Sequence, residues 1–235
     1  MSGTRRVDAI DALRGLALVA MIAYHFCFDL AYLRLAAFDF YRDPWWLHAR
    51  TAILSSFLLL AGVSLVLAER TADGRARFWR HVVRIAACAA VVSLASYLMF
   101  PQSYIWFGVL HAIAVSLVLA RPLAQRPRLA LFAGVAVIGA GVTIEAAIFD
   151  RPALGWLGFM TAKPRTEDYV PLFPWTGVML LGIAAGHALV RTQFRGIAFA
   201  ARGPRFLPWM GRHSLALYMV HQPLLLGLLF LFARR

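Results

Sequence analysis

Charge is scarce in this chain, and acid is scarcer still. Of 235 residues only 15% are charged, with 11 Asp and Glu against 24 Lys and Arg. Hydrophobic residues make up 61%, and the mean hydropathy is +0.69, far from a soluble average. Little chain is left over for a soluble domain, so residues 1–235 read as a single integral membrane domain. Cysteine is nearly absent. Cys27 and Cys88 both fall inside apolar runs, which argues against a disulfide scaffold and gives no metal-ligand spacing. HExxH, CxxC, Walker and dinucleotide-binding signatures are missing. Ser64, in "LAGVSLVLA", lacks the glycine-rich setting of an intramembrane serine nucleophile. The first apolar run has no small-residue cleavage site after a short core, so it reads as a retained helix. No internal repeat supports an inverted-repeat transporter. Any chemistry therefore rests on histidine and carboxylate.

What is present is a series of apolar runs of membrane-spanning length. The fold class is all-α, a polytopic transmembrane bundle. Seven spans are expected, near 10–30, 47–68, 81–100, 104–120, 128–148, 171–190 and 212–232. The links between them test this count. Arg5 and Arg6 precede the first span. Arg70, Arg75, Arg77 and Arg80 outnumber Glu69 and Asp73 in the second link. Arg121, Arg126 and Arg128 fill the fourth without an acid, as do Arg191, Arg195, Arg202, Arg205 and Arg212 in the sixth. The first and fifth links are balanced, and the third is little more than "PQS". Positive and neutral links alternate, which puts the N-terminus in the cytoplasm and the C-terminus outside. Arg234 and Arg235 run weakly against this orientation. The net charge of +13 is thus a topology and headgroup signal,. No motif points to nucleic acid.

The polar residues inside the apolar runs are the candidates for function, because ionisable groups there are costly. Asp8, Asp11 and Arg14 share a face of the first span. Arg14 either pairs with Asp11 and reaches the headgroups, or turns inward to hold an anionic cofactor group. His25 lies 11 residues on, roughly 16 Å along the axis,, with Asp29 a turn later on the same face. A carboxylate bonded to one imidazole nitrogen fixes the tautomer and raises the basicity of the other. His25 and Asp29 are therefore candidates for an oriented general base. Tyr24 and Gly15 offer hydroxyl and packing contacts. His111, in "YIWFGVLHAIAV", has an expected depth like that of His25, so the two can share a cavity or serve separate packing roles. Glu145, near the end of the fifth span, either joins an outer polar pocket or reaches headgroups. The fifth link, with "DYVPLFPW", suggests an ordered external loop or an aromatic belt, and its Asp168 and Trp175 are candidates to meet substrate. His221 and Gln222 sit near the middle of the last span before Pro223. His221 is a candidate for a cytoplasmic access path or a structural role. His48, His81, His187 and His213 read as interfacial.

The opening "RRVDAIDALRGLALVAMIAYHFCFDL" resembles the first span of bacterial membrane proteins in the heparan-alpha-glucosaminide N-acetyltransferase catalytic-domain family. "FLLLAGVSL", "FGVLHAIAV", "DYVPLFPWTGVMLLGIAAG" and "GRHSLALYMVHQP" extend the resemblance in order over nearly the whole chain. The "DALRG…H" opening also resembles the wider transmembrane acyltransferases that modify surface polysaccharides. The resemblance implies transfer of an acyl group, commonly acetyl from acetyl-CoA, to a sugar or lipid-linked acceptor. It implies a multi-pass protein of the bacterial inner membrane, with membrane lipid and glycan as partners and a homodimer as a candidate assembly. No metal is expected. In the animal enzyme of this group the first-span polar position corresponds to His25. Its proposed catalytic histidine in the following loop has no counterpart, because residues 31–47 contain no histidine. On this reading His25, oriented by Asp29, takes a proton from the acceptor. His111 assists the oxyanion or the acceptor. Arg14, His221 and Gln222 meet the acyl-CoA; Tyr24, Glu145, Asp168 and Trp175 meet the acceptor. Two other classes fit the same residues: a membrane cytochrome with His25 and His111 on one haem, and a proton-coupled transporter.

Overall fold

A computed structural model gives the architecture. It describes residues 8–71 and 73–233. Arg5, Arg6, Arg234 and Arg235 lie outside the described residues. The elements are helical: α1 Asp8–Tyr32, α2 Pro44–Ala68, α3 Gly74–Met99, α4 Val109–Ala120, α5 Pro127–Thr143, α6 Leu172–Arg191, α7 Phe206–Arg212 and α8 Ser214–Ala233, with short 3-10 turns between. Five helices are long and apolar enough to cross a membrane: α1, α2, α3, α6 and α8. The shorter apolar helices α4 and α5 fall where two further spans were expected.

Local sequence explains the helix starts. Asp43 precedes Pro44 and accepts the Trp45 N–H at 2.9 Å, which caps α2 with proline at its first position. Pro127 stands at the start of α5, without a side-chain cap,. Two ends depart from expectation. The fourth span was expected from residue 104, but α4 begins at Val109. Residues 104–108 instead pair with a distant loop: the Val170 N–H donates to the Phe107 carbonyl at 3.2 Å, and the Thr166 hydroxyl to the Tyr104 carbonyl at 2.7 Å. The fifth span was expected to reach 148, but α5 stops at Thr143 and Ile144 is extended.

The chain forms two compact units. One comprises Met1–Phe57 and Phe194–Arg235, the other Leu58–Gln193. In the first, glycines let α7 lie backbone to backbone on α1. Gly15 faces the Leu207 carbonyl and Gly211 the Asp11 carbonyl, with no room for a Cβ at either. Asp11 and Asp29 are about 27 Å apart along α1. Gly211 sits at the former, and Gln222 bonds the latter. The nine residues of α8 up to Gln222 span only about 13 Å. So α8 advances alongside α1, in the same direction.

The second unit also packs through small residues, as membrane helices do. Gly62 of α2 abuts the Met179 carbonyl of α6, and Gly182 of α6 abuts the Leu59 carbonyl of α2. Gly134 and Gly177 bring α5 and α6 together. A buried Ser116–Thr176 hydrogen bond of 2.7 Å ties α4 to α6.

Candidate functional site

In the first unit, the facing sides of α1 and α8 carry a buried polar cluster. Asp29 is 1% exposed and His221 8%. The Gln222 amide donates to Asp29 Oδ1 at 2.7 Å. His221 Nδ1 lies 2.6 Å from the Tyr218 carbonyl. The His25 and His221 rings stand edge to face, with centroids 5.1 Å apart. Asp29 Oδ2, Gln222 Oε1 and His221 Nε2 are buried with no hydrogen-bond partner among the described residues. On the near side of His25, Tyr24 packs edge-on to it at 5.9 Å and joins Phe40 and Trp46 in an aromatic wall.

This geometry corrects two expectations. The expected His25–Asp29 hydrogen bond does not form among the described residues. Asp29 turns to Gln222 and His25 to His221, because α8 supplies each with a partner. Nor do Arg14, His221 and Gln222 form one binding group. Arg14 is 15 residues, about 22 Å, from Asp29 along α1,. It pairs with Asp11 at 2.9 Å and donates to the Gly211 carbonyl at 3.4 Å. His221 and Gln222 lie toward the other end of α1.

The second unit holds His111, in the first turn of α4. The Gly108 N–H donates to its Nδ1 at 3.2 Å. Its Nε2 is 3.2 Å from the Ser93 hydroxyl, whose own hydrogen goes to the Ile105 carbonyl at 2.6 Å. Ser93 therefore accepts from Nε2–H, and both ring nitrogens are used. His111 braces the 105–108 loop. It has no free lone pair for a haem iron or a substrate proton.

Asp168 is brought to the same place. Its Oδ2 accepts the Val109 N–H at 2.8 Å, so a carboxylate sits at the N-terminus of α4, where the helix dipole favours it. The loop around it is pinned by Ser103, whose hydroxyl bonds Glu167 at 2.6 Å, and by Tyr169, whose hydroxyl donates to the Gly155 carbonyl at 2.6 Å. Burial pushes the Tyr169 phenol up to about 12. Trp175 is half-buried in the first turn of α6, and Glu145 is exposed beyond the end of α5. His48, His187 and His213 each bond a backbone carbonyl, in keeping with structural roles.

Two cavities of about 510 Å³ lie in this unit. One is lined by Arg126, Arg128 and Arg191 with apolar residues and no acid. The other holds the Arg121–Glu69 ion pair of 2.8 Å, beside Trp79.

Sequence reasoning missed Ser93 and the capping role of Asp168. Both act across loops, on residues 18 and 59 positions away, and no local pattern signals that. It also missed the Asp29–Gln222 bond, which links residues 193 positions apart. Polar residues within apolar runs marked both members but not their pairing.

The family model described as "Heparan-alpha-glucosaminide N-acetyltransferase, catalytic" matches residues 6–223. No curated protein and no solved structure matches the chain.

Proposed function

The chain belongs to the heparan-alpha-glucosaminide N-acetyltransferase catalytic family, and from that premise we propose that acyl transfer takes place at the α1–α8 cluster of His25, Asp29, His221 and Gln222. Membership makes the protein a multi-pass membrane acyltransferase that moves an acyl group from acyl-CoA to a sugar or lipid-linked acceptor. It replaces the cytochrome and transporter readings. The cytochrome reading is further weakened by His111, whose ring nitrogens are both hydrogen-bonded.

The observation that carries the site is the set of three buried polar atoms with no partner among the described residues, grouped around two imidazoles. Buried polar atoms are almost always paired, and unpaired ones next to groups able to move protons fit a substrate position. We take the acyl group to be acetyl. An acceptor hydroxyl or amine attacks the thioester carbonyl directly, and an imidazole takes its proton as the new bond forms. Tyr24 faces the acceptor beside His25. His111 and Asp168 act by position, holding the loop ahead of α4.

Seven spans with a cytoplasmic N-terminus, in a bacterial inner membrane, fit this reading. The alternating link charges support it, as does the shared direction of α1 and α8, which an odd number of spans requires. The arginine-rich ends then face the cytoplasm. The test is transfer of label from acetyl-CoA to glycans and lipids in membranes carrying the protein. Wild type should label an acceptor, and Asp29→Leu should abolish the labelling. Full labelling by that variant would move the chemistry elsewhere.

A further inference from the structure

We propose that His221 takes the acceptor's proton, and that Asp29 and Gln222 hold an acceptor rich in hydrogen-bond donors, such as a sugar's hydroxyls or amine. This rests on the reading of the α1–α8 cluster as the acyl-transfer site.

The hydrogen bonds separate the two histidines. A backbone carbonyl can only accept, so the 2.6 Å contact with Tyr218 puts the proton of His221 on Nδ1,. In the neutral ring Nε2 is then a bare acceptor. It is buried and without a partner among the described residues. An imidazole held through one nitrogen with the other free is the arrangement of an oriented general base. His25 has ring contacts with Tyr24 and His221 but no such fixing bond among the described residues.

The unpartnered atoms also identify what the cluster holds. With Asp29 ionised, the Gln222 amide nitrogen faces it, because two oxygens would repel, so Oε1 points away as an acceptor,. The three unpartnered atoms are then a carboxylate oxygen, an amide oxygen and an imidazole nitrogen. All accept and none donates. Buried polar atoms are almost always paired, so the complementary ligand brings several O–H or N–H groups. Phosphates bring only acceptors and are repelled. His221 and Gln222 thus belong to the acceptor side, whereas the sequence grouped them with acyl-CoA.

The step balances. His221 Nε2 takes the proton from the attacking oxygen or nitrogen as that atom bonds the acyl carbon. The carbon–sulfur bond breaks and its electron pair leaves on sulfur. The proton then passes from Nε2 to the thiolate, releasing CoA thiol and restoring the neutral ring.

The test compares His221→Asn, His25→Ala and Asp29→Asn in membranes supplied with labelled acetyl-CoA. An asparagine amide can still donate to the Tyr218 carbonyl, so His221→Asn keeps the local bond while removing the base. It should lower kcat by about 10²- to 10⁴-fold, with a melting temperature near wild type. His25→Ala should retain more activity than His221→Asn. Asp29→Asn turns an acceptor atom into a donor and should raise the acceptor KM more than it lowers kcat. If His25→Ala is the more damaging, or His221→Asn stays within 3-fold of wild type, the assignment to His221 is overturned. If all three variants stay at wild-type rates, or wild type transfers nothing, the site reading itself fails.

Discussion

The Asp29–Gln222 bond can be weighed by a double-mutant cycle. Gln222→Leu removes the donor to Asp29 Oδ1, and Oδ2 has no partner among the described residues. Both oxygens of a carboxyl group 1% exposed would then be unpaired. Hydrogen bonds between membrane helices average about 0.6 kcal/mol and reach about 1.7. An orphaned buried group adds a cost of about 1–3 kcal/mol. Gln222→Leu should therefore destabilise by about 2–5 kcal/mol. Asp29→Leu alone orphans the Gln222 amide at a similar cost. The double variant leaves neither group, so its loss should be at least about 1 kcal/mol smaller than the sum of the two. Reversible unfolding in mixed detergent micelles measures all three. A coupling below about 0.3 kcal/mol, the scatter of independent sites, would mean that α1 and α8 do not meet in this register. Asp11→Asn, about 27 Å away along α1, should add independently to Gln222→Leu and serves as the control.

Further predictions concern the second unit. His111→Ala should cost about 1–2 kcal/mol through its two lost bonds, while leaving acyl transfer measurable; complete loss of transfer by a folded variant would refute the bracing role. Tyr169 has a folded pKa raised to about 12 from 10. Its contribution to stability is full below pH 10 and lost as pH rises through 12, so the alkaline fall in melting temperature should be shallower in Tyr169→Phe; parallel curves would contradict its burial. Gly182→Val places side-chain atoms against the Leu59 carbonyl, where backbone cannot retreat. It should destabilise by about 3 kcal/mol or more, and a monodisperse, wild-type-stable variant in size-exclusion chromatography would argue against this packing.

The sequence by itself determined the membrane class, the helical fold and the approximate place of seven apolar segments. Burial in lipid forces the backbone to satisfy itself locally, and a run of apolar residues records that directly. It also marked the chemistry-bearing residues, because His25, Asp29, His111, His221 and Gln222 stand out against an apolar background. Only the tertiary structure decided which of them meet. Asp29 and His25 are a turn apart on α1, yet each takes its partner from α8, and His111 is consumed by Ser93 and Gly108. It also started α4 at Val109, where a loop 59 residues away in sequence captures the preceding strand of chain and caps the helix. The reason is physical. Periodicity and hydropathy are local properties of the chain. A hydrogen bond's partner depends on which helices lie side by side, and here glycine contacts such as Gly15–Leu207 and Gly211–Asp11 help set that.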